Sequence, residues 1–301
     1  MSRGRVLKHV AAAAGAVLGG IALLGVADAD RGDNGGRPLF TEPLGDAGPV
    51  LVFLPGLGLT TSAWRPVAIP LATRARAVLV DLLGFGRSPK PWTTYSVARH
   101  VAELHRVVAP LAAGRPVTLV GHSIGARLAV AYATAHPAAV ERLVLVSLPY
   151  FGGEEQAKRY LRSRGGRVWT HMVPFALACL LGRRLLGWAL PLVVRDLPRD
   201  VVEGLRQMTW RSSTSSMWEV IYRHDLAADV ARVPARVPFV CLHGDRDETA
   251  PLDRMRELAA LHPNCRIEVA PDADHLLPIR RPAWVRQQIA AAVGIAEADG
   301  M

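Results

Sequence analysis

Short, continuous apolar runs alternate with longer amphipathic segments along most of this chain of 301 residues. Apolar runs of this length, separated by helical patterns, are typical of strands that are buried on both faces of a parallel sheet. They occupy residues 50–54, 77–80, 117–120, 143–146, 237–242 and 266–269. The segments that predict helices are residues 61–72, 96–113, 124–136, 252–261 and 282–293. The pattern predicts an α/β fold, with a mostly parallel sheet flanked by helices.

The alternation of strands and helices breaks between residue 149 and about residue 234. This stretch has helical periodicity and no convincing strand, which predicts a helical cap inserted between two parts of the core. The expected organisation is an N-terminal segment and linker at 1–36, a first core part at 37–149, the cap at 150–234 and a second core part at 235–301.

Inside the predicted cap, one apolar stretch is long enough to raise the question of a membrane helix. It covers residues 175–194, but Arg183 and Arg184 interrupt it. A membrane span needs about 20 predominantly apolar residues. The sequence therefore favours a lid helix over a pocket.

The N-terminus has the pattern of an export signal. Three basic residues within the first eight positions precede an uncharged stretch at 10–26, and Ala27 and Ala29 put small residues where a signal peptidase cleaves. The stretch is short for a transmembrane span, and its many Ala and Gly residues make it only mildly apolar. We expect it to export the chain or to anchor it in a membrane. The alternative is an ordinary surface helix, which would leave the protein in the cytoplasm.

Charge and cysteine content limit the partners to expect. Net charge is +10 at pH 7, but the basic residues are mostly Arg and are scattered along the chain. A nucleic-acid surface would need clustered Lys and Arg with interleaved aromatic residues, so we expect no nucleic-acid partner. The three cysteines, Cys179, Cys241 and Cys265, have no His partners at ligand spacing. They predict neither a metal site nor a disulfide framework; a single pairing stays open, although Cys241 lies in a run typical of a core.

The clearest chemical signal is the sequence Gly121-His122-Ser123-Ile124-Gly125, which follows an apolar run and precedes an Ala-rich helical pattern. A Gly-x-Ser-x-Gly motif between a strand and a helix holds its Ser in a strained turn, where the hydroxyl projects clear of the sheet. On its own, the motif is equally compatible with a structural turn. Its meaning depends on a His and a carboxylate reaching Ser123, because a Ser hydroxyl is a poor nucleophile until a His takes its proton.

Two downstream segments supply these partners at the carboxyl ends of predicted strands. Asp245 and Asp247 follow the fifth predicted strand, and His275 follows the sixth. Ligand sites of open parallel sheets collect at the carboxyl ends of the strands. Ser123, a carboxylate and His275 are therefore expected to converge at this edge.

Four ordered motifs, which cover about residues 38–295, resemble the α/β-hydrolase superfamily in its cap-bearing branch. The sequence Leu54-Pro55-Gly56-Leu57-Gly58 resembles the family's oxyanion loop. Residues 81–88, with the sequence DLLGFGRS, resemble its Asp-x-x-Gly-x-Gly-x-Ser segment. The segments around Ser123 and His275 complete the set, in the order Ser, Asp, His that is expected of these hydrolases.

The resemblance implies a role for each residue that matches a family motif. Ser123 would be the nucleophile and His275 the general base. Asp247 would be the acid, because the family pattern Gly-x-x-Asp-x-x-x-Pro puts its Asp there. Asp245 is the competitor within the same turn.

The same resemblance implies that the backbone N–H groups of Leu57 and Ile124 hold the oxyanion. Two departures from the family pattern bear on this part of the chain. Pro55 stands where the family usually has His, which removes a side chain that braces the loop but keeps the Leu57 amide. Only residues 37–44 precede the first predicted strand, which is too short for the family's opening hairpin.

The expected activity is that of a serine hydrolase that cleaves a carboxylic ester or thioester of a small-molecule acyl substrate. No metal or organic cofactor is expected. The Ser at position 123 disfavours haloalkane or epoxide opening, which would use an Asp. Two alternatives stay open: a carbon–carbon bond hydrolase or perhydrolase with the same three residues, and a non-catalytic hydrolase-like protein that binds a ligand.

Overall fold

The computed structural model describes residues 36–163 and 197–295, and a sheet of seven strands lies at its centre. The strand order is β1-β3-β2-β4-β5-β6-β7, with β1 antiparallel to β3 and all other neighbours parallel. The strands are β1 (Thr41–Leu44), β2 (Val50–Leu54), β3 (Arg76–Val80), β4 (Val117–His122), β5 (Val140–Val146), β6 (Phe239–Gly244) and β7 (Cys265–Ala270).

Helices connect the strands and cover the sheet. They are α1 (Arg65–Leu71), α2 (Val97–Ala112), α3 (Ile124–Ala135), α4 (Glu154–Ser163), α5 (Arg199–Gln207), α6 (Trp210–Ser216), α7 (Leu226–Arg232), α8 (Leu252–Ala259), α9 (Leu277–Arg280) and α10 (Pro282–Val293). A π-helical segment, Met217–Tyr222, continues α6. The helix-forming segments predicted between the strands are all present, and α10 has the bounds that the sequence pattern predicts.

The sheet is buried on both faces, because successive side chains of a strand point to opposite sides. In β2, Val52 and Leu54 belong to a core with side chains of α2, α3, α7 and α8. Leu51 and Phe53 belong to a second core with side chains of α1 and α10. Burial on both faces explains why the strands appear in the sequence as continuous apolar runs. The predicted fold class is confirmed.

The predicted strand at 50–54 has those bounds in the structure, whereas β5 begins three residues before the predicted strand at 143–146. Glu141 and Arg142 are half-buried and interrupt the apolar run of β5. Glu141 accepts a hydrogen bond from the hydroxyl of Thr118 in the neighbouring strand β4, at 3.1 Å. The polar start of β5 is therefore paired within the sheet.

The edge strand β1 has no counterpart among the predicted strands. Thr41 lies opposite Val80 of β3, and Leu44 lies opposite Ala77. The strand is only partly buried and contains Pro43, which an edge strand tolerates because one of its sides needs no ladder hydrogen bonds. Residues 37–44 thus supply one antiparallel strand, in agreement with their being too short for a hairpin.

The described residues between β5 and β6 contain helices and no strand. Helix α5 packs over the loop that follows β2, where Leu59 and Ala63 form a small apolar cluster with Val201 of α5. The helical insertion therefore covers the loop that carries the predicted oxyanion donor Leu57. The boundaries of the insertion at 149/150 and 234/235 stay predictions.

Arg127 of α3 binds the chain on both sides of helices α4 to α6. Its guanidinium donates to the carbonyl of Pro149 at 2.9 Å and to the carbonyl of His224 at 2.8 Å. The side chain is buried, and burial lowers the pKa of Arg127 to about 10. One buried cation thus fixes the segment before α4 and the segment before α7 to the same helix of the core.

Several predictions fall on residues outside the described ranges. They are the N-terminal segment at 10–26, Cys179 and the apolar stretch at 175–194. Within residues 36–163 and 197–295, every helix is too short or too polar to span a bilayer.

Candidate active site

Ser123 occupies a sharp turn between β4 and α3, at the carboxyl edge of the sheet. Its backbone has φ 53° and ψ −118°, a conformation that side-chain-bearing residues rarely adopt. The Ser123 N–H donates to the carbonyl of Val146 in β5 at 2.9 Å, which fixes the turn against the sheet. Because β4 lies between β2 and β5, the turn sits where the strand order reverses, the usual position of a site in such sheets.

The two glycines of the motif are required by close backbone approaches. A Cβ on Gly121 would lie 2.5 Å from the carbonyl oxygen of Gly125 and 2.6 Å from Cα of Ala126. A Cβ on Gly125 would lie 2.5 Å from the carbonyl oxygen of Pro55, in the loop after β2. Only glycine fits at both positions, and the fit presses the start of α3 against the predicted oxyanion loop.

His275 lies in the loop after β7 and connects Ser123 to Asp247. Its Nε2 is 3.0 Å from Oγ of Ser123, and its Nδ1 is 2.8 Å from Oδ2 of Asp247. A carboxylate only accepts hydrogen bonds, so Nδ1 carries the hydrogen and Nε2 presents its lone pair to the Ser123 hydroxyl. The three side chains, separated by 152 and 28 positions in sequence, form one hydrogen-bonded chain.

Asp247 is held as an anion in the turn after β6. Its Oδ1 accepts the N–H groups of Thr249 at 2.9 Å and Ala250 at 2.8 Å. Burial raises the pKa of Asp247, but the hydrogen bond and charge of His275, with the Ala250 N–H and His243, outweigh burial and hold the pKa below its usual value. The carboxylate is therefore ionised at neutral pH.

Asp245 does not reach His275. This residue is exposed, and its Oδ1 accepts the Ala273 N–H at 3.3 Å. It links the turn after β6 to the loop that carries His275. The structure thus brings Asp247, and not Asp245, to the imidazole.

Ile124 directly follows Ser123 at the start of α3, and Leu57 lies in the loop after β2. The two loops are neighbours because Leu54 of β2 pairs with Gly121 of β4. Across residues 36–163 and 197–295, neither amide donates a hydrogen bond to another protein group. Both N–H groups are therefore available to an oxyanion, where one preorganised donor contributes about 3 kcal/mol.

The segment that follows β3 braces this loop through Asp81. The buried carboxylate accepts the N–H of Thr61 at 2.7 Å and the N–H of Arg87 at 2.8 Å. It is the backbone N–H of Arg87 that Asp81 binds, whereas the Arg87 guanidinium stacks over the ring of Phe40, 4.2 Å from the ring centroid. Asp81 thus fixes two stretches of backbone and leaves the Arg87 side chain on the surface.

Two buried histidines, His122 and His243, were not predicted to contribute to the site. Each is 1% exposed and lies at the end of a strand that carries a site residue. In the sequence, the only sign of a role for His122 is that it precedes Ser123, and the only sign for His243 is that it lies four positions before Asp247. Among the described residues, no cluster of three or more His, Cys, Asp or Glu side chains could hold a metal ion.

The fold is that of an α/β hydrolase, and the chain belongs to that family. The model of the alpha/beta hydrolase fold matches residues 49–282. The match begins before β2 and includes the turn at Ser123 and the loops with Asp247 and His275.

Three sequence relatives are hydrolases of different kinds by name. The pimeloyl-[acyl-carrier protein] methyl ester esterase of Chromobacterium violaceum is 30% identical over 248 residues, which cover 79% of this chain and 91% of that protein. The 2-(acetamidomethylene)succinate hydrolase of Mesorhizobium japonicum is 26% identical over 234 residues, with coverage of 76% and 82%. The probable lysophospholipase BODYGUARD 1 of Arabidopsis thaliana is 27% identical over 255 residues. That alignment covers 75% of this chain but 54% of the plant protein, so the chain spans about half its length.

Solved structures share the fold at lower identity. A thermophilic esterase from Thermogutta terrifontis superposes with a TM-score of 0.67 at 21% identity, covering 85% of this chain and 93% of that one. The enol-lactonase from Burkholderia xenovorans superposes with a TM-score of 0.65 at 22% identity, with coverage of 85% and 96%. These similarities show a common architecture.

Proposed function

We propose that this protein is a serine hydrolase that cleaves a carboxylic ester or thioester of a small-molecule substrate by acyl transfer. The hydrogen-bonded chain from Ser123 through His275 to Asp247 carries the proposal, because it joins a hydroxyl to a proton acceptor and that acceptor to a buried anion. This is the arrangement that makes a Ser hydroxyl nucleophilic.

In the proposed reaction, each step of acyl transfer uses a group of this site. As Oγ of Ser123 attacks the carbonyl carbon, its proton moves to Nε2 of His275, and the carboxylate of Asp247 stabilises the resulting imidazolium. The N–H groups of Leu57 and Ile124 hold the oxyanion of the tetrahedral intermediate. His275 then gives its proton to the leaving alcohol or thiol, and a water activated by the same imidazole releases the acid and restores Ser123.

Two of the named relatives support a carboxylic ester as the bond that is cleaved. One named relative is a methyl ester esterase and another is a probable lysophospholipase. A third named relative, the 2-(acetamidomethylene)succinate hydrolase, has a different kind of substrate in its name.

A panel of p-nitrophenyl esters of increasing acyl chain length tests the proposal. We expect turnover with a chain-length optimum, and a loss of at least about 10³-fold in the Ser123→Ala variant. A diketone panel with product analysis separates carbon–carbon bond cleavage from ester hydrolysis. Folded wild-type protein that turns over no ester or thioester, or a Ser123→Ala variant with wild-type activity, would overturn the proposal.

A further inference from the structure

Two histidines that take no part in the proposed chemistry form hydrogen bonds to the segments that hold the proposed acid, Asp247, and the proposed base, His275. His122 is the last residue of β4, and its Nε2 lies 2.8 Å from the carbonyl oxygen of His275. His243 lies near the end of β6, and its Nε2 is 2.7 Å from the carbonyl oxygen of Ala250. Carbonyl oxygens only accept, so both imidazoles donate from Nε2.

The two carbonyls belong to the segments that fix the acid and the base. His275 is the proposed base itself. Ala250 donates its N–H to Oδ1 of Asp247 at 2.8 Å, so the hydrogen bond from His243 holds the same peptide segment that orients the acid. We propose that His122 and His243 are positioning residues that set the alignment of the Asp247–His275 pair with Ser123, an inference that rests on the proposed function.

Their surroundings keep both histidines neutral. Burial, followed by the charge of His275, lowers the pKa of His122 to about 3, against opposing effects of its hydrogen bond and of Asp247. Burial also lowers the pKa of His243, although Asp247 lies 3.6 Å away; His275 and Arg256 act in the same direction as burial. Within the described part of the chain, Nδ1 of each ring is buried and has no hydrogen-bond partner. Neither ring therefore competes with His275 for a proton.

His122 also leaves no space for a side chain at Gly56, in the predicted oxyanion loop. A Cβ on Gly56 would lie 2.6 Å from Nδ1 of His122. The His122 ring thus contacts the predicted oxyanion loop, precedes the nucleophile and donates to the base. A displacement of about 1 Å in such a group can cost about 100-fold in rate.

Paired substitutions test this positioning role in the full-length protein. His122→Gln keeps an N–H donor at a similar reach, and His122→Met removes it. We expect His122→Met to lower kcat about 10- to 100-fold, to keep KM within about twofold and to change the pH profile of kcat/KM. We expect His122→Gln to keep most of the wild-type kcat. The pair His243→Gln and His243→Met should behave in the same way.

Titration of active sites with a fluorophosphonate separates positioning from folding. A purely structural role would reduce the number of reactive sites but leave turnover per site unchanged, and that result would overturn the inference. Equal loss of turnover per site in the Gln and Met variants would also overturn it. The Ser123→Ala variant reports independently on the proposed function, since its full activity would refute acyl transfer whatever the histidine variants do.

A separate observation concerns the thiols of Cys241 and Cys265, on the neighbouring strands β6 and β7. Their Sγ atoms are 3.6 Å apart. Cys241 is 1% exposed, whereas Cys265 is partly exposed and lines a surface cavity of about 350 Å³ together with Arg142 and Arg266. Cys265 is thus partly open to solvent, and the buried thiol of Cys241 is its neighbour.

The environments of the two thiols favour different roles. Burial raises the pKa of Cys241, and the hydrogen bond from Cys241 lowers the pKa of Cys265. A reachable thiol with a lowered pKa beside a second thiol is the usual arrangement of an oxidation-sensitive pair.

The structure assigns this pair as a site of reversible oxidation by hydroperoxides. The Cys265 thiolate attacks one peroxide oxygen, the O–O bond breaks, and hydroxide or alkoxide leaves. The resulting Cys265 sulfenic acid is attacked by the sulfur of Cys241, which loses its proton as water leaves and the S–S bond forms. The two thiols are oxidised by two electrons and one peroxide is reduced.

Peptide mapping after hydrogen peroxide treatment tests the assignment in the full-length chain with Cys179→Ser. We expect one disulfide-linked peptide pair containing Cys241 and Cys265, loss of both free thiols, and reversal by dithiothreitol. In Cys265→Ser, Cys241 should stay a free thiol, and in Cys241→Ser a sulfenic acid trap should label Cys265. Two unreacted thiols after treatment, or oxidation of Cys265 beyond the sulfenic acid while an adjacent Cys241 stays reduced, would overturn the assignment.

Discussion

Asp245 and Asp247 lie two positions apart in one turn, yet their carboxylates have different partners. Asp247 is buried, accepts two backbone amides and accepts Nδ1–H of His275. Asp245 is exposed and accepts one amide at 3.3 Å. Only Asp247 can fix the tautomer of His275 and stabilise its cation.

Asparagine substitutions at these two positions therefore differ in their expected effect. Asp247→Asn should lower kcat about 10⁴-fold, because the amide no longer fixes the imidazole tautomer. Asp245→Asn should change kcat by about twofold, as expected of an exposed side chain whose substitution changes free energies by about 0.5 kcal/mol. Steady-state kinetics on one ester measure both, and the reverse order of severity would contradict the choice of acid.

The motif residues of the site could be predicted from the sequence, whereas the supporting histidines could not. Ser123, Asp247 and His275 stand in motifs at the ends of apolar runs, and each motif is local. His122 acts on a backbone carbonyl 153 positions away. A backbone acceptor has no side-chain signature, so only the fold shows that His122 and His275 meet.

At the scale of elements, the turn between β4 and α3 has the strictest packing requirement. A Cβ on Gly125 would clash with the carbonyls of Leu54 and Pro55, which are rigid backbone atoms. Gly114, in the connection after α2, has no atom within 4 Å of where a Cβ would stand. The two glycines form a matched pair for substitution.

Gly125→Ala should lower the free energy of unfolding by about 1–3 kcal/mol and reduce ester hydrolysis, because the added methyl group pushes α3 away from the loop after β2. Gly114→Ala should leave both within error. Urea denaturation followed by circular dichroism, with the kinetic assay in parallel, measures the two effects. A Gly125→Ala variant as stable and as active as Gly114→Ala would contradict this prediction, because it would mean that a methyl group fits beside the loop after β2.

The strands differ in how well the sequence pattern alone predicts them. β2 and β4 are buried on both faces, so hydrophobicity alone marks them. β1 is half-buried at the sheet edge and contains Glu42 and Pro43; the Glu42 carboxylate pairs with Arg65 at 2.8 Å. That strand is specified by pairing with β3 and by a side-chain contact, and neither appears as a pattern in the sequence.

At the scale of the whole molecule, several buried histidines link stability to pH. Burial lowers the pKa of His100 to about 4, from an ordinary value of 6.5. The folded state then stays unprotonated at His100 between pH 6.5 and about 4, whereas the unfolded state binds a proton there. Since the unfolded state binds more protons in this window, the free energy of unfolding falls as pH falls through it. His122 and His243 act in the same direction.

Removing one of these histidines should therefore flatten the pH dependence of stability. His100 bonds Ser216 through Nε2 at 3.3 Å, and Gln can keep that contact. Between pH 4.5 and 5.5 the slope of the unfolding free energy should be smaller in His100→Gln than in wild type by about 1.4 kcal/mol per pH unit, the equivalent of one proton. Urea titrations at three pH values measure the slopes, and identical slopes would mean that His100 is protonated in the folded state.

The N-terminal segment at 10–26 is predicted to export or anchor the protein, and fractionation tests it. We expect full-length protein to sediment with membranes or to lose its first residues on export, because the segment is apolar behind a basic start. A version that starts after Ala29 should stay in the soluble fraction. Uncleaved full-length protein in the soluble cytoplasmic fraction would contradict the prediction.

The proposed function requires that His275 activate the Ser123 hydroxyl. Covalent labelling by a fluorophosphonate, followed by intact mass and peptide mapping, tests it most directly. We expect one adduct per chain, located on Ser123, with no adduct in Ser123→Ala and labelling at least about 10³-fold slower in His275→Ala. An adduct on another residue, or labelling at the wild-type rate in folded His275→Ala, would contradict it.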